Sequence, residues 1–241
     1  MVVMTVSGKV LIIVAQFYVP ERTIRKTIAH HFRSIDYDFF ISPIDQTGRL
    51  LEFGTYHEGL KWGSNKKYDW YVVMNDTLLI KYHYPSYLTR IVSEIRAAGT
   101  HDVPVLCGEV HDQKSAIFRT QNGCNKYVST FIFSLNRKGA EVFDGLLVNF
   151  SDSGLAESGL GTYANVILRK HRKYVSKSTQ VRRAKYNALV MEQRLSDEIL
   201  NNGVLVNLFP GRISFFLQRV KNRYAAAVHR FLNFWRYLVG G

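Results

Sequence analysis

A polar triplet that follows a short apolar segment is the part of this sequence best equipped for chemistry. A buried strand is predicted at residues 71–74, because four apolar residues stand between charged or turn-prone flanks. Asn75, Asp76 and Thr77 come next, and ligands of open α/β sheets gather beyond the carboxyl ends of the strands. Their amide, carboxylate and hydroxyl oxygens suit Mg²⁺ or Mn²⁺ beside a diphosphate, with Asp76 as the metal ligand. The alternative is a strand-ending turn in which these side chains bond their own backbone.

The elements that must position this triplet alternate between strands and helices. Strands are predicted at residues 10–17, 38–42, 71–74, 103–107 and 127–135, and helices at residues 20–35 and 87–98. Residues 43–69 carry several glycines and little periodicity, which predicts a loop-rich connection or a short helix around residues 50–53. This alternation is typical of an α/β fold with a mixed, mostly parallel sheet and covering helices.

Composition and charge narrow the possible classes of protein. A chain of 241 residues that is 46% hydrophobic can bury one core with an appendage. The formal net charge of +13, concentrated after residue 165, attracts polyanions such as nucleic acid, anionic lipid or phosphorylated small molecules. The apolar segment at residues 10–15 is too short to span a bilayer and no cleavage site follows it, so a cytoplasmic protein is expected. Cys107 and Cys124 lack metal-site spacing and are expected to be reduced thiols.

The order of these segments resembles a known family. Residues 67–77 form a Tyr-Asp strand that ends in Asn-Asp-Thr, residues 127–131 form an aromatic segment, and residues 157–160 read Glu-Ser-Gly-Leu. Together they resemble the small GT-A glycosyltransferases of polysaccharide assembly, particularly the rhamnan-synthesis type of capsule and cell-wall gene sets. The family's Asn-Asp-Ser stands in for an Asp-x-Asp motif, and here Thr77 replaces the serine.

This resemblance implies an architecture and a reaction. Residues 1–165 would form a single GT-A-like, Rossmann-like catalytic domain that binds a nucleotide-sugar, and residues 166–241 a basic helical extension. The reaction would move a sugar from that donor to a glycan or polyprenyl-linked acceptor, with inversion and with assistance from Mg²⁺ or Mn²⁺. A bound divalent ion neutralises the departing diphosphate.

Two carboxylates are candidates for the base that takes the acceptor's proton. Glu157 is the first candidate and Asp112 the second, while the alternatives are a solvated loop acid and a turn residue. Glu109 and His111 stand near enough to Asp112 that one of the three could contact acceptor or metal.

Donor recognition is expected at the ends of the first two strands. Gln16, Phe17, Tyr18 and Asp45 would surround the base and ribose in the crevice that opens there. Arg22 would meet phosphate near a helix start, where backbone amides attract anions.

The C-terminal segment carries a separate signal. Between residues 212 and 239, apolar side chains recur every three or four positions and arginines stand outside that set. This pattern predicts a basic amphipathic helix that either lies on an anionic membrane, on its inner face, or packs on its own domain. Two other functions remain open, namely nucleic-acid binding through residues 169–185 and an inactive transferase fold that serves as an assembly partner.

Overall fold

Six strands and seven helices make up the part of the chain that the computed structural model describes, which is residues 8–44, 51–97, 102–112, 126–153 and 179–239. The strands are β1 Val10–Gln16, β2 Tyr37–Pro43, β3 Trp70–Asn75, β4 Val105–Asp112, β5 Lys126–Asn136 and β6 Val204–Asn207. The helices are α1 Glu21–Phe32, α2 Glu52–Gly63, α3 Thr77–Lys81, α4 Tyr84–Ala97, α5 Arg137–Ser153, α6 Thr179–Asn202 and α7 Arg212–Val239.

The strands form one mixed sheet in the order β2-β1-β3-β5-β4-β6. Only β5 runs antiparallel to its neighbours, β3 and β4, whereas β1 pairs in parallel with β2 and β3, and β4 with β6. The predicted α/β class with a mixed, mostly parallel sheet is therefore confirmed. The carboxyl ends of the five parallel strands and the start of β5 meet along one side of the sheet, which we call the carboxyl edge.

Helices cover both faces of the sheet, which explains the long apolar runs of its central strands. One face packs against α1 and α4, and α1 contributes Ile24, Ile28 and Phe32, as its periodicity predicts. The other face packs against α2, α5 and α6. Strand β3 is a central strand and is buried along its whole length, so the polar residues at its end lie in the middle of the carboxyl edge.

Helix α2 occupies much of the region for which a loop-rich connection or a short helix was predicted. Glycines hide its periodicity because two of them serve packing rather than flexibility. A Cβ atom at Gly59 would lie 2.6 Å from the Ile13 side chain, and one at Gly63 would lie 2.6 Å from Leu11. These glycines let α2 lie close against β1.

The segment at residues 179–209 is built into the sheet domain, although it falls in the range assigned to the C-terminal extension. Helix α6 buries Ala188, Met191 and Leu195 against the sheet, and β6 pairs with β4. The predicted boundary at residue 165 itself lies outside the described residues. The predicted C-terminal helix is confirmed as α7, and none of the described helices is long and apolar enough to cross a membrane.

Candidate active site at the carboxyl edge

The carboxylate of Asp76 holds the loop that follows β1 through hydrogen bonds. Its Oδ2 atom accepts hydrogen bonds from the backbone N–H groups of Phe17, Tyr18 and Val19, at 2.9, 2.6 and 2.7 Å. Consecutive amides that converge in this way form a nest for an anion, and here the protein's own carboxylate fills it. The Asp76 side chain is fully buried, and its Oδ1 atom has no hydrogen-bond partner among the described residues. Asp76 therefore joins the ends of β1 and β3.

This joint stands at the topological switch point of the sheet. The chain leaves β1 for β2 on one side, whereas β3 lies on the other, and such a point opens a crevice for ligands. Tyr18 is 63% exposed there, with the Lys81 ammonium 6.0 Å from its ring centroid. The Gln16 amide donates to the Val19 carbonyl oxygen at 2.7 Å, which shapes the same loop.

The predicted donor residues at the end of β1 and in the loop after it lie together. Phe17 and Tyr18 stack with their ring centroids 5.6 Å apart, and the partly buried Gln16 precedes them. Arg22 is exposed in the first turn of α1. Asp45 lies outside the described residues.

The other two members of the triplet bond to each other. The Thr77 hydroxyl donates to Oδ1 of Asn75, whose side chain is buried beside Tyr56. The Tyr56 hydroxyl donates to the Thr130 carbonyl oxygen at 3.3 Å, and burial raises its pKa well above the ordinary value. Asn75 thus lies between the switch point and the polar groups of β5.

Two oxygens of the triplet, Asp76 Oδ2 and Asn75 Oδ1, already accept hydrogen bonds within the protein. One Asp76 oxygen already accepts three N–H bonds and the whole side chain is shielded from solvent. Within the described ranges, no group of three or more His, Cys, Asp or Glu side chains could hold a metal ion. These residues do not form a divalent-ion site on their own, and Asp76 as a metal ligand stays a prediction.

A second carboxylate, Glu192 of α6, lies against an irregular part of β5. Between the pairs Gly108–Phe133 and Val110–Val128, β4 advances two residues while β5 advances five, so β5 bulges there. The Glu192 Oε1 atom accepts from the Thr130 N–H group at 2.8 Å and lies 3.2 Å from its hydroxyl. Burial raises the pKa of Glu192 to about 7, although the hydrogen bonds from Thr130 act in the opposite direction.

Glu192 has acidic and phenolic neighbours at the same edge. The negative charge of Glu52, itself buried at the start of α2, also raises the pKa of Glu192. Burial raises the pKa of Tyr82 and of Tyr127 to about 12, and the negative charge of Glu192 adds to the rise in both. A carboxyl group whose pKa lies near neutrality can accept a proton from a substrate hydroxyl.

On the opposite face, a network around Glu109 connects β4 to α7. The Tyr87 hydroxyl donates to Glu109 Oε2, and His111 Nε2 lies 3.4 Å from Glu109 Oε1. The Asn222 amide donates to the Tyr87 hydroxyl at 2.8 Å. Burial lowers the pKa of His111, while the charge of Glu109 raises it in part. The polar groups of β4 therefore tie the start of α7 to the carboxyl edge.

The predicted bases fall in different places. Asp112 is exposed at the end of β4, opposite Lys126 of β5. Glu157 lies outside the described residues, as does most of the basic segment at residues 169–185. Their predicted roles stay predictions.

Glu192, Tyr56 and Thr130 were not identified from the sequence. Glu192 belongs to a 24-residue helix rich in charged side chains, where an acid normally faces solvent. Tyr56 lies in the glycine-containing region at residues 43–69, for which the sequence predicted a loop-rich connection or a short helix around residues 50–53. Of these three residues, only Thr130 had a signal in the sequence, because it lies within the aromatic segment at residues 127–131 that resembles a family motif.

Comparisons with known proteins add little to this geometry. No protein-family model matches the chain, and no curated protein matches it. Among solved structures, the chain is similar to the crystal structure of a glycosyltransferase involved in the glycosylation of the major capsid of PBCV-1. The two share 10% sequence identity and a TM-score of 0.38, over 75% of this chain and 99% of that chain. A similarity this distant is no evidence for the function of this chain.

Proposed function

We propose that the protein is a glycosyltransferase that moves a sugar from a nucleotide-sugar donor to a glycan or polyprenyl-linked acceptor, on the cytoplasmic side of a membrane. The observation that supports this proposal best is the topological switch point between β1 and β3, where Asp76 holds the β1–α1 loop and the Tyr18 ring is exposed. The crevice beyond such a switch point is the usual nucleotide site of an open α/β sheet.

The donor would bind on the β1 side of this crevice. Tyr18 offers an aromatic face on which a nucleobase can stack, and the nearby Lys81 ammonium supplies positive charge for a phosphate. Arg22 adds a second cation from the first turn of α1. Gln16 and Asn75 would support this loop rather than reach far into solvent, since one is partly buried and the other buried.

The acceptor would be activated on the β5 side. In an inverting transfer, the base takes the proton of the acceptor hydroxyl. The hydroxyl oxygen of the acceptor then bonds to the anomeric carbon of the donor sugar, and the bond from that carbon to the diphosphate breaks. Glu192 suits the base role because it is partly buried, its pKa is about 7, and Thr130 fixes one of its oxygens. Glu157 and Asp112 remain alternative bases.

The experiment that tests this function combines calorimetric titration of a nucleotide-sugar panel, with and without Mn²⁺, with detection of transferred sugar. Glu192→Gln should lower turnover by about 100-fold or more and leave donor affinity nearly unchanged, because a base acts in the transition state. The matched control is Glu198→Gln, which changes an exposed acid on the same helix.

The outcomes separate three possibilities. Full activity in Glu192→Gln together with a loss in Asp112→Asn or Glu157→Gln would move the base to that residue. Absence of nucleotide-sugar binding by the native protein would refute the transferase proposal and favour an assembly partner. Loss of donor binding in the absence of Mn²⁺ would support a metal role for Asp76.

A further inference from the structure

Helix α7 presents apolar side chains to solvent along much of its length. The exposed fractions are 77% for Ile213, 64% for Phe216, 72% for Tyr224 and 62% for Phe231. With about 100° of rotation per residue, these four positions share one side of the helix. We call this the apolar stripe, which also includes Leu217, Val220, Val228 and Leu232.

The opposite side of α7 holds the helix on the domain, and its contacts are mainly polar. Gln218 is 3% exposed and donates to Asn222 Oδ1 at 2.9 Å, and the same oxygen accepts from the His83 N–H group at 2.9 Å. The Phe215 ring meets His111 with centroids 5.7 Å apart. A helix that packs on its own core has the reverse arrangement, with its apolar side inward. The alternative that the apolar stripe packs on the domain is thus contradicted.

The charge of α7 identifies the kind of surface that would cover this stripe. The helix contains no aspartate or glutamate, and Arg212, Arg219, Arg223 and Arg230 lie along one flank of the stripe. An apolar face bordered by arginines fits the headgroup and acyl boundary of an anionic bilayer. A nucleic acid would use the arginines but leave the exposed phenylalanines and leucines uncovered.

We propose that α7 docks the protein on an anionic lipid bilayer, with the apolar stripe in the acyl boundary and the arginine flank on the headgroups. Because α7 begins directly after β6 and contacts His111, docking brings the carboxyl edge close to the membrane. A polyprenyl-linked acceptor would be presented there, and this last point alone rests on the proposed transferase function.

Vesicle sedimentation of the full chain tests the docking without any donor or acceptor. The native protein should sediment with vesicles of phosphatidylglycerol and phosphatidylcholine, less with phosphatidylcholine alone, and less as salt rises. Phe216→Ser with Phe231→Ser, and separately Arg223→Gln with Arg230→Gln, should each lower partitioning by about tenfold or more.

Matched controls change similar side chains elsewhere. Trp62→Ser removes an exposed aromatic ring from α2, and Arg33→Gln with Lys61→Gln removes two exposed cations. Both controls should sediment like the native protein. Native protein that ignores anionic vesicles would overturn the proposal.

Sedimentation velocity tests the remaining alternative, in which a second copy of the chain covers the apolar stripe. A dimer that the two phenylalanine substitutions convert to a monomer, together with no vesicle binding, would assign the stripe to a second copy of the chain. Circular dichroism of each variant checks folding, and because Phe216 and Phe231 are exposed, their loss should leave the melting temperature within a few degrees of native.

Discussion

Replacing Asp76 with asparagine, which keeps the side chain's size and removes its charge, should destabilise the fold even without ligand. Oδ2 of Asp76 accepts three backbone N–H bonds from the β1–α1 loop, and the side chain is fully buried. The asparagine oxygen can occupy the same place in the nest, but it accepts as a neutral group.

The size of the effect follows from two opposing contributions. Hydrogen bonds to a charged group are stronger than neutral ones by about 1 kcal/mol each, so three weakened bonds cost about 3 kcal/mol. Asparagine also relieves the burial of a charge whose Oδ1 atom has no hydrogen-bond partner in the described part of the chain, which offsets some of that loss. We expect a net loss of about 2 kcal/mol, or a melting temperature lower by about 4–8 °C in a chain of this length.

Thermal and urea unfolding followed by circular dichroism measure this loss. Asp76→Ala, which removes the acceptor and leaves the three N–H groups without it, should be less stable than Asp76→Asn. Asp102→Asn makes the same chemical change at a fully exposed side chain and should match the native protein.

The same unfolding curves separate the loop-fastening role from a metal role. If Asp76 mainly binds a metal, the metal-free variant should be as stable as native, and Mn²⁺ should raise the melting temperature of the native protein alone. A melting temperature of Asp76→Asn within about 1 °C of native would refute the reasoning from its hydrogen bonds.

Three further predictions concern other parts of the site and the sheet. Tyr18→Leu should weaken nucleotide binding by about tenfold in calorimetry without a change in melting temperature, because the ring is exposed and its stacking surface is lost. Burial raises the pKa of Glu192 from 4.5 to about 7, so the folded state holds a proton that the unfolded state releases between those pH values. Native stability should therefore fall by up to about 3 kcal/mol as pH rises through that window, and urea unfolding of Glu192→Gln should lack this fall. Gly59→Ala should cost about 1–3 kcal/mol in urea unfolding because its Cβ would lie 2.6 Å from Ile13, whereas Gly54→Ala, with no atom within 4 Å, should be neutral or slightly stabilising.

The sheet could be predicted because most of its strands coincide with short apolar segments of the sequence. Residues 10–17 and 71–74 predicted β1 and β3 to within one residue at each end, and helical periodicity predicted α1 and α4. Helix α2 was harder, since the glycines that let it approach β1 interrupt its apolar pattern. Helix α6 and strand β6 were obscured by the basic composition of their surroundings, although their apolar side chains complete the sheet domain.

The position of the site could also be predicted, whereas the partners of its side chains could not. The place of Asp76 at the end of a buried strand follows from local sequence alone. The partners of its carboxylate, the N–H groups of residues 17–19, are nearly 60 positions away, and no local pattern encodes that contact.

Glu192 illustrates the same limit more strongly. Its place at the site requires α6 to lie across β5 at the point where the register of β4 and β5 shifts, which fixes Thr130 beside the carboxylate. A residue that gains its chemistry from burial can be identified only when the element that buries it is known.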